Sequence, residues 1–189
     1  MEGNTKMIKQ TLITALFFSL VSPMVWADAK IQRLNPDGMA QPAGYRQVVT
    51  ANGGKMVFLA GQAGLRADYS MPASLAEQAE LTYENIRIAL AAVGGSAADV
   101  VRITVYIVGL GQGTDPTPVY EAQGKFFPAD AKPASTILGV SGLALPGLLV
   151  EVDVIALVEA EDHAEHCSAL AFSAAKTCYL NRWNNSVDD

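Results

Sequence analysis

Residues 74–108 read SLAEQAELTYENIRIALAAVGGSAADVVRITVYIV, and this stretch decides the fold class. Its first half is helical. Ala79, Thr82, Tyr83, Ile86, Leu90 and Val93 recur at the spacing that places side chains on one helix face. Ser74 precedes the run and Glu77 follows three residues on, the pattern of an N-terminal capping box. Gly94-Gly95 ends it, because glycine takes the left-handed backbone that closes a helix. The second half changes period. Val100 to Val108 alternates and is rich in Val, Ile, Thr and Tyr, so it is a strand. A helix followed at once by a strand must bury its apolar face on a sheet.

The same reading extends outward. Upstream, Ile31 to Leu34 and Gln47 to Thr50 are short strand candidates, with Pro36-Asp37-Gly38 as a turn. Asn52-Gly53-Gly54 reads as a hairpin turn into a buried strand, Met56 to Ala60, that ends at Gly61-Gln62. Downstream, Gly109 to Pro116 is a loop and Thr117 to Phe127 a second, shorter helix. Ala134 to Val140 and Leu149 to Val158 are two more strands, separated by a turn at Leu145-Pro146-Gly147. This order predicts an α+β domain: a mixed sheet of about six strands with two helices on one face. The other face must be wet or must cover a partner, and its apolar residues hint at an oligomer.

The chain ends are different in kind. Met7-Ile8-Lys9-Gln10 begins a basic start, Thr11 to Val21 is apolar, and Val25-Trp26-Ala27 supplies a small-x-small cleavage signal. Residues 1–27 are therefore expected to be a secretory signal peptide. The apolar run is shorter than the ~20 residues of a membrane-spanning helix, so no stable membrane insertion is expected after cleavage. Residues 28–159 form the domain, and residues 160–189 a polar C-terminal tail. The expected location is periplasmic or secreted.

Charge excludes one class of partner. The chain carries a formal charge of −6, which becomes about −7 when Glu2, Lys6 and Lys9 leave with the signal peptide. A negative domain repels the phosphate backbone, so no nucleic-acid partner is expected. The two cysteines, Cys167 and Cys178, lie in the tail. If that segment is one helix they sit about 16 Å apart along its axis, too far for a bridge that needs Cα atoms within about 7 Å. The segment is helical or internally bridged, not both, and an intermolecular bond stays open. His163, His166 and Cys167 are metal-ligating types at helical spacing, but three donors in a polar tail make a weak zinc or copper signal. Ser173-Ala174-Ala175-Lys176 matches a serine–lysine motif without its companions.

Four stretches stand out together: Gly44-Tyr45, Gly61-Gln62, Tyr120-Glu121-Ala122, and Pro133-Ala134-Ser135-Thr136 followed by Glu151-Val152-Asp153-Val154-Ile155-Ala156. In this order and spacing they resemble the Rid family, also called the YjgF or reactive-intermediate deaminase family. The resemblance spans about Lys30 to Val158. It implies a chorismate-mutase-like fold and a homotrimer with ligand clefts between subunits. It implies hydrolysis of small reactive imines and enamines to a carbonyl compound and ammonia, with no metal or organic cofactor. Most of that family is cytoplasmic, which is the alternative location.

Carried over residue by residue, the resemblance puts the pocket tyrosine on Tyr45, the strand-end glycine on Gly61 and the pocket acid on Glu151. Glu151 is then the catalytic candidate: imine hydrolysis needs a placed water and a group to move protons. The family's carboxylate-clamping arginine falls on Ser135. A hydroxyl does not replace a guanidinium fork, so 2-imino acids are not the necessary substrate. Ser135 and Thr136 are expected to hydrogen-bond a neutral or smaller ligand, and Thr117, at the start of the second helix, joins the ligand-contacting set. Arg46 and Arg102 are candidates to supply the missing charge. Asp153 shares the sheet face of Glu151. A small-ligand-binding or protective module of the same fold is the alternative to an enzyme.

Overall fold

The computed structural model describes residues 28–160. The expected signal peptide, the tail and the His163–Cys178 motifs lie outside those residues. Six strands and two helices follow in the order β1 (Lys30–Leu34), β2 (Val48–Asn52), β3 (Lys55–Ala63), α1 (Leu75–Ala91), β4 (Val100–Val108), α2 (Thr117–Phe126), β5 (Ala134–Val140) and β6 (Val150–Val158). The α+β class and the two helices are as expected. The strands divide, however: β1 and β2 form an antiparallel pair of their own, and the main sheet runs β3-β6-β4-β5. Its one parallel pairing, β4 with β5, is reached through the α2 crossover that parallel strands need.

The decisive stretch behaves as its pattern implies. Ser74 caps α1, its hydroxyl accepting from the Glu77 N–H at 3.3 Å and donating to the Glu77 carboxylate at 2.6 Å. The carboxylate thus accepts from the Ser74 hydroxyl rather than from the Ser74 N–H. The reciprocal box forms one turn before β4 instead, where Ser96 and Asp99 cap a 3-10 turn, Ala97–Asp99. Gly94 closes α1 with φ +75°, a backbone that side chains disfavour.

The core follows from alternation. Val150, Val152, Val154 and Ala156 of β6 and Ile103, Val105 and Ile107 of β4 are at most 1% exposed. They pack with Ala79, Tyr83, Ile86 and Leu90 of α1 and Val119 and Ala122 of α2. Burying one such side chain is worth about 1.5–3 kcal/mol. The alternate residues Glu151, Asp153 and Ile155 of β6 and Thr104 and Tyr106 of β4 face the other way and are half-buried. With them stand exposed apolar groups, Met56, Phe58 and Leu138, of which Phe58 is 71% exposed.

One buried polar residue ties the core to the loops. Gln78 is fully buried. Its Nε2 donates to the Pro72 carbonyl at 2.9 Å and the Gly147 carbonyl at 2.8 Å, and its Oε1 accepts from the Leu149 N–H at 2.8 Å. It therefore fixes the chain that leads into β6.

β3 is longer than its sequence pattern suggests. Its pairing with β6 shifts register between Leu59 and Gln62 and then resumes, so the strand runs through Gly61-Gln62 to Ala63. A bulge of this kind re-aims the strand without ending it.

Candidate functional site

Two clefts take in most of the sequence-derived residues, at opposite edges of the main sheet. The first lies between β5, the N-terminal loop and α2. Its volume is about 410 Å³, and Tyr45, Tyr120, Gln123, Lys132, Ser135 and Ile137 line it with Gly44 and Gly124. That is the size of an ordinary small-molecule site. The loop carrying Tyr45 is pinned from three sides. The Arg46 N–H donates to the Pro133 carbonyl at 3.0 Å. The Arg46 guanidinium donates to the carbonyls of Tyr45 and Ala129. Gln123 donates to the Gly44 carbonyl at 3.4 Å and accepts from the Tyr83 phenol at 3.3 Å. Burial pushes the Tyr83 phenol well above the usual tyrosine range, so it stays a neutral donor.

Ser135 faces this cleft because of register. It pairs with Ile103 of β4 across a parallel ladder, and so shares the helix side of the sheet. Its Oγ is buried without any hydrogen-bond partner. Buried hydroxyls are nearly always bonded, so this unpaired one is an exception in the cleft wall.

The second cleft is a wider groove along edge strand β3. Gly61, Gln62, Arg66, Asn85, Leu145 and Glu151 are among its lining residues, and its volume is about 650 Å³. Glu151 lies directly over Gly61. A Cβ at Gly61 would stand 2.9 Å from the Glu151 carboxyl carbon and closer still to one oxygen. Glycine is what lets the carboxylate settle on the strand. Asn85 holds the end of β3 from α1, its Nδ2 donating to the carbonyls of Ala63 and Leu65 at 2.9 and 2.8 Å.

The sequence-derived residues thus come together in pairs, Tyr45 with Ser135 and Gly61 with Glu151. The pairs stay apart. Glu151 sits opposite Tyr106 on β4, and Ser135 opposite Ile103. Two strand gaps of about 4.8 Å and three residues of about 3.3 Å separate them by on the order of 14 Å, on opposite sides of the sheet. Thr136 lines neither cleft; it accepts a hydrogen bond from Arg102 at 3.3 Å on the face away from the helices. Thr117 is exposed at the start of α2, its N–H held by Asp115. Asp153 accepts from the Tyr106 phenol at 2.9 Å, and that bond raises the phenol's pKa. Arg46 and Arg102 are both spent on other partners, and neither lines the Ser135 cleft.

Sequence reasoning missed Lys132, which does line that cleft. Its signal was adjacency alone: a lysine immediately before the Pro-Ala step that leads to Ser135. Among the described residues no cluster of three His, Cys, Asp or Glu side chains has the closeness to hold a metal ion.

Comparison with known proteins fits this geometry. Protein DfrA of Myxococcus xanthus is 40% identical over 116 residues, covering 60% of this chain and 84% of that protein. The RutC family protein YjgH of Escherichia coli is 29% identical over 120 residues, covering 61% and 86%. The crystal structure of the Rid-family protein YyfB from Yersinia pestis superposes with a TM-score of 0.62 at 27% identity, covering 68% of this chain and 98% of that one. Residues 37–158 match the family described as endoribonuclease L-PSP. With nearly the whole folded domain inside that match, the chain belongs to the endoribonuclease L-PSP family, the group also called Rid or YjgF.

Proposed function

We propose that the protein hydrolyses small imines or enamines, in a site completed between copies of the chain. The observation that carries this is the Glu151 carboxylate seated on Gly61, with the Tyr45–Ser135 cleft out of its reach in the same copy. A ligand small enough for either cleft does not span ~14 Å through a sheet. A second copy that sets its β5 edge against the first one's β3 edge brings the two half-sites face to face. A closed ring of three such contacts satisfies every edge. The exposed Phe58, Met56 and Leu138 on the open face support that association.

The chemistry is a simple addition and elimination. Glu151 takes a proton from water as the water oxygen bonds to the imine carbon, and the C=N π pair moves to nitrogen. The proton then passes to the amine nitrogen of the carbinolamine. Glu151 next takes the hydroxyl proton of the carbinolamine and delivers it to that nitrogen, so the C–N bond breaks with its electron pair going to nitrogen, ammonia leaves, and the oxygen pair forms the carbonyl. The net change is imine plus water to carbonyl compound plus ammonia. Tyr45 closes the cleft, and Ser135 bonds the ligand.

The endoribonuclease label fits this chain less well. Both histidines, His163 and His166, fall outside the matched residues, and the chain is acidic. We propose in addition that the protein is exported, on the basic start, apolar run and small-x-small signal of residues 1–27; a mature N-terminus near Asp28 in the exported fraction tests that part.

The test of function is ammonia release from a panel of imines and enamines by the purified mature protein. Glu151→Gln should abolish turnover while leaving ligand binding in place. Binding with no turnover by the parent protein, across the whole panel, sinks the enzyme and leaves the non-catalytic module.

A further inference from the structure

We infer that Gln123 is the positioning residue of the Tyr45 loop: it carries a hydrogen bond from Tyr83 in the core through to the Gly44 carbonyl, and so sets where Tyr45 stands. This rests on Tyr45 closing the ligand cleft, as proposed above.

The first observation is what fixes Tyr45. Peptide groups are planar, so the backbone of a residue is set by the two planes that flank it. The plane after Tyr45 is held at both its polar groups. The Arg46 N–H donates to the Pro133 carbonyl at 3.0 Å, and the Tyr45 carbonyl accepts from the Arg46 guanidinium at 3.2 Å. The plane before Tyr45 has one hydrogen bond among the described residues, from Gln123 Nε2 to the Gly44 carbonyl at 3.4 Å. Side-chain packing adds nothing at Gly44, where a Cβ would meet no atom within 4 Å.

The second observation is that the amide has one orientation. A carbonyl only accepts, so Gly44 must face Nε2, and Oε1 is then left to Tyr83. The phenol donates to Oε1 at 3.3 Å. Its ring is held by Phe126 and Phe127, with centroids 5.2 and 6.2 Å away. A flipped amide would set oxygen against oxygen at Gly44. Donation therefore runs one way, from α1 through α2 to the loop.

The third is burial. Gln123 is 7% exposed and Tyr83 3%. Two apolar side chains of like shape would fill that space at nearly equal stability. A satisfied polar pair instead selects one arrangement of the groups around it. This pair ends on the loop that carries Tyr45, and Gln123 lines the cleft as well. The anchor of the loop and the wall of the cleft are thus one side chain.

The experiment uses the full mature protein and two variants, Tyr83→Phe and the double variant Tyr83→Phe with Gln123→Met. The double variant keeps the packing and removes both polar partners, so its overall stability should stay close to the parent's. Amide hydrogen exchange followed by NMR compares the Arg46 N–H, the far anchor of the loop, with the amides of β4 inside the sheet. In the double variant Arg46 should exchange roughly two- to tenfold faster, the scale of one neutral hydrogen bond, while β4 stays within about threefold of the parent. Tyr83→Phe, which leaves every residue of the cleft in place, should speed Arg46 in the same direction. A parental Arg46 rate in either variant overturns the assignment. Ammonia release from the imine of the panel that turns over fastest gives the second readout. KM should rise in the double variant by a similar factor with kcat unchanged, as when binding alone is lost. A fall in kcat at unchanged KM overturns the positioning role. A parent protein that turns over no imine removes hydrolysis, and the exchange rates alone then decide the relay.

Discussion

Replacing Gln78 with leucine should unfold the protein early and blunt the site at the same time. The side chain is fully buried and makes three hydrogen bonds of 2.8–2.9 Å, to the carbonyls of Pro72 and Gly147 and from the Leu149 N–H. Leucine has nearly the same volume, so no cavity opens. Three neutral hydrogen bonds at about 1 kcal/mol each are lost, and the stranded Leu149 N–H adds about 1–3 kcal/mol of desolvation. The extra apolar burial returns about 1 kcal/mol. The net loss is about 3–5 kcal/mol. At about 3–4 °C per kcal/mol for a domain of this size, Tm falls by roughly 10–20 °C. Differential scanning calorimetry reads it directly. The comparison variant is Arg87→Ala, which removes an exposed ion pair and should cost at most about 1 kcal/mol. Gly147 and Leu149 lead into Glu151, so turnover of the folded fraction should fall as well. A Gln78→Leu protein melting within about 3 °C of its parent would refute the account of how that loop is held.

Gly61→Ala should keep the fold and lose activity, because the new methyl occupies the place of the Glu151 carboxylate; unchanged kcat would show that the seat is irrelevant. Ile86→Ala empties a fully buried position and should destabilise by about 2–5 kcal/mol in denaturant titration, while an effect under 1 kcal/mol would contradict the packing described. The Tyr106 phenol is held protonated by Asp153. A raised folded pKa means that this contribution to stability is complete below the unfolded value near 10 and fades as pH rises through the folded one. Alkaline ultraviolet titration of Tyr106→Phe should lose a late-ionising phenol; loss of an early one would reverse the sign.

Local pattern carried far in this chain. The α1 face, from Ala79 to Leu90, and the strands Val100–Val108 and Ala134–Val140 are set by period alone, and the structure keeps them. What period does not encode is pairing. Nothing local says that β1 and β2 stand apart as their own sheet, or that β5 lies parallel to β4. The bulge that carries β3 through Gly61 depends on β6, about ninety residues away. The site divides the same way. Family spacing picked out Tyr45, Gly61, Ser135 and Glu151, but a list of positions does not say which share a face. The ladder does: Ser135 follows Ile103 to the helix side, and Glu151 follows Tyr106 to the other. Thr136, next to Ser135, is carried by the same alternation to Arg102 and away from the cleft. Lys132 escaped notice because a lone lysine in a loop has no period.

The central claim is that one catalytic site needs two copies of the chain, and subunit complementation tests it most directly. Glu151→Gln and Ser135→Trp each disable every site of their own homo-oligomer, one by removing the base and the other by filling the cleft. Unfolded together in equal amounts and refolded, they form mixed assemblies in which about a quarter of the sites pair an intact Glu151 edge with an intact Ser135 edge. The account predicts that activity returns to about a quarter of the parent's. A mixture as inactive as its two parts would contradict it.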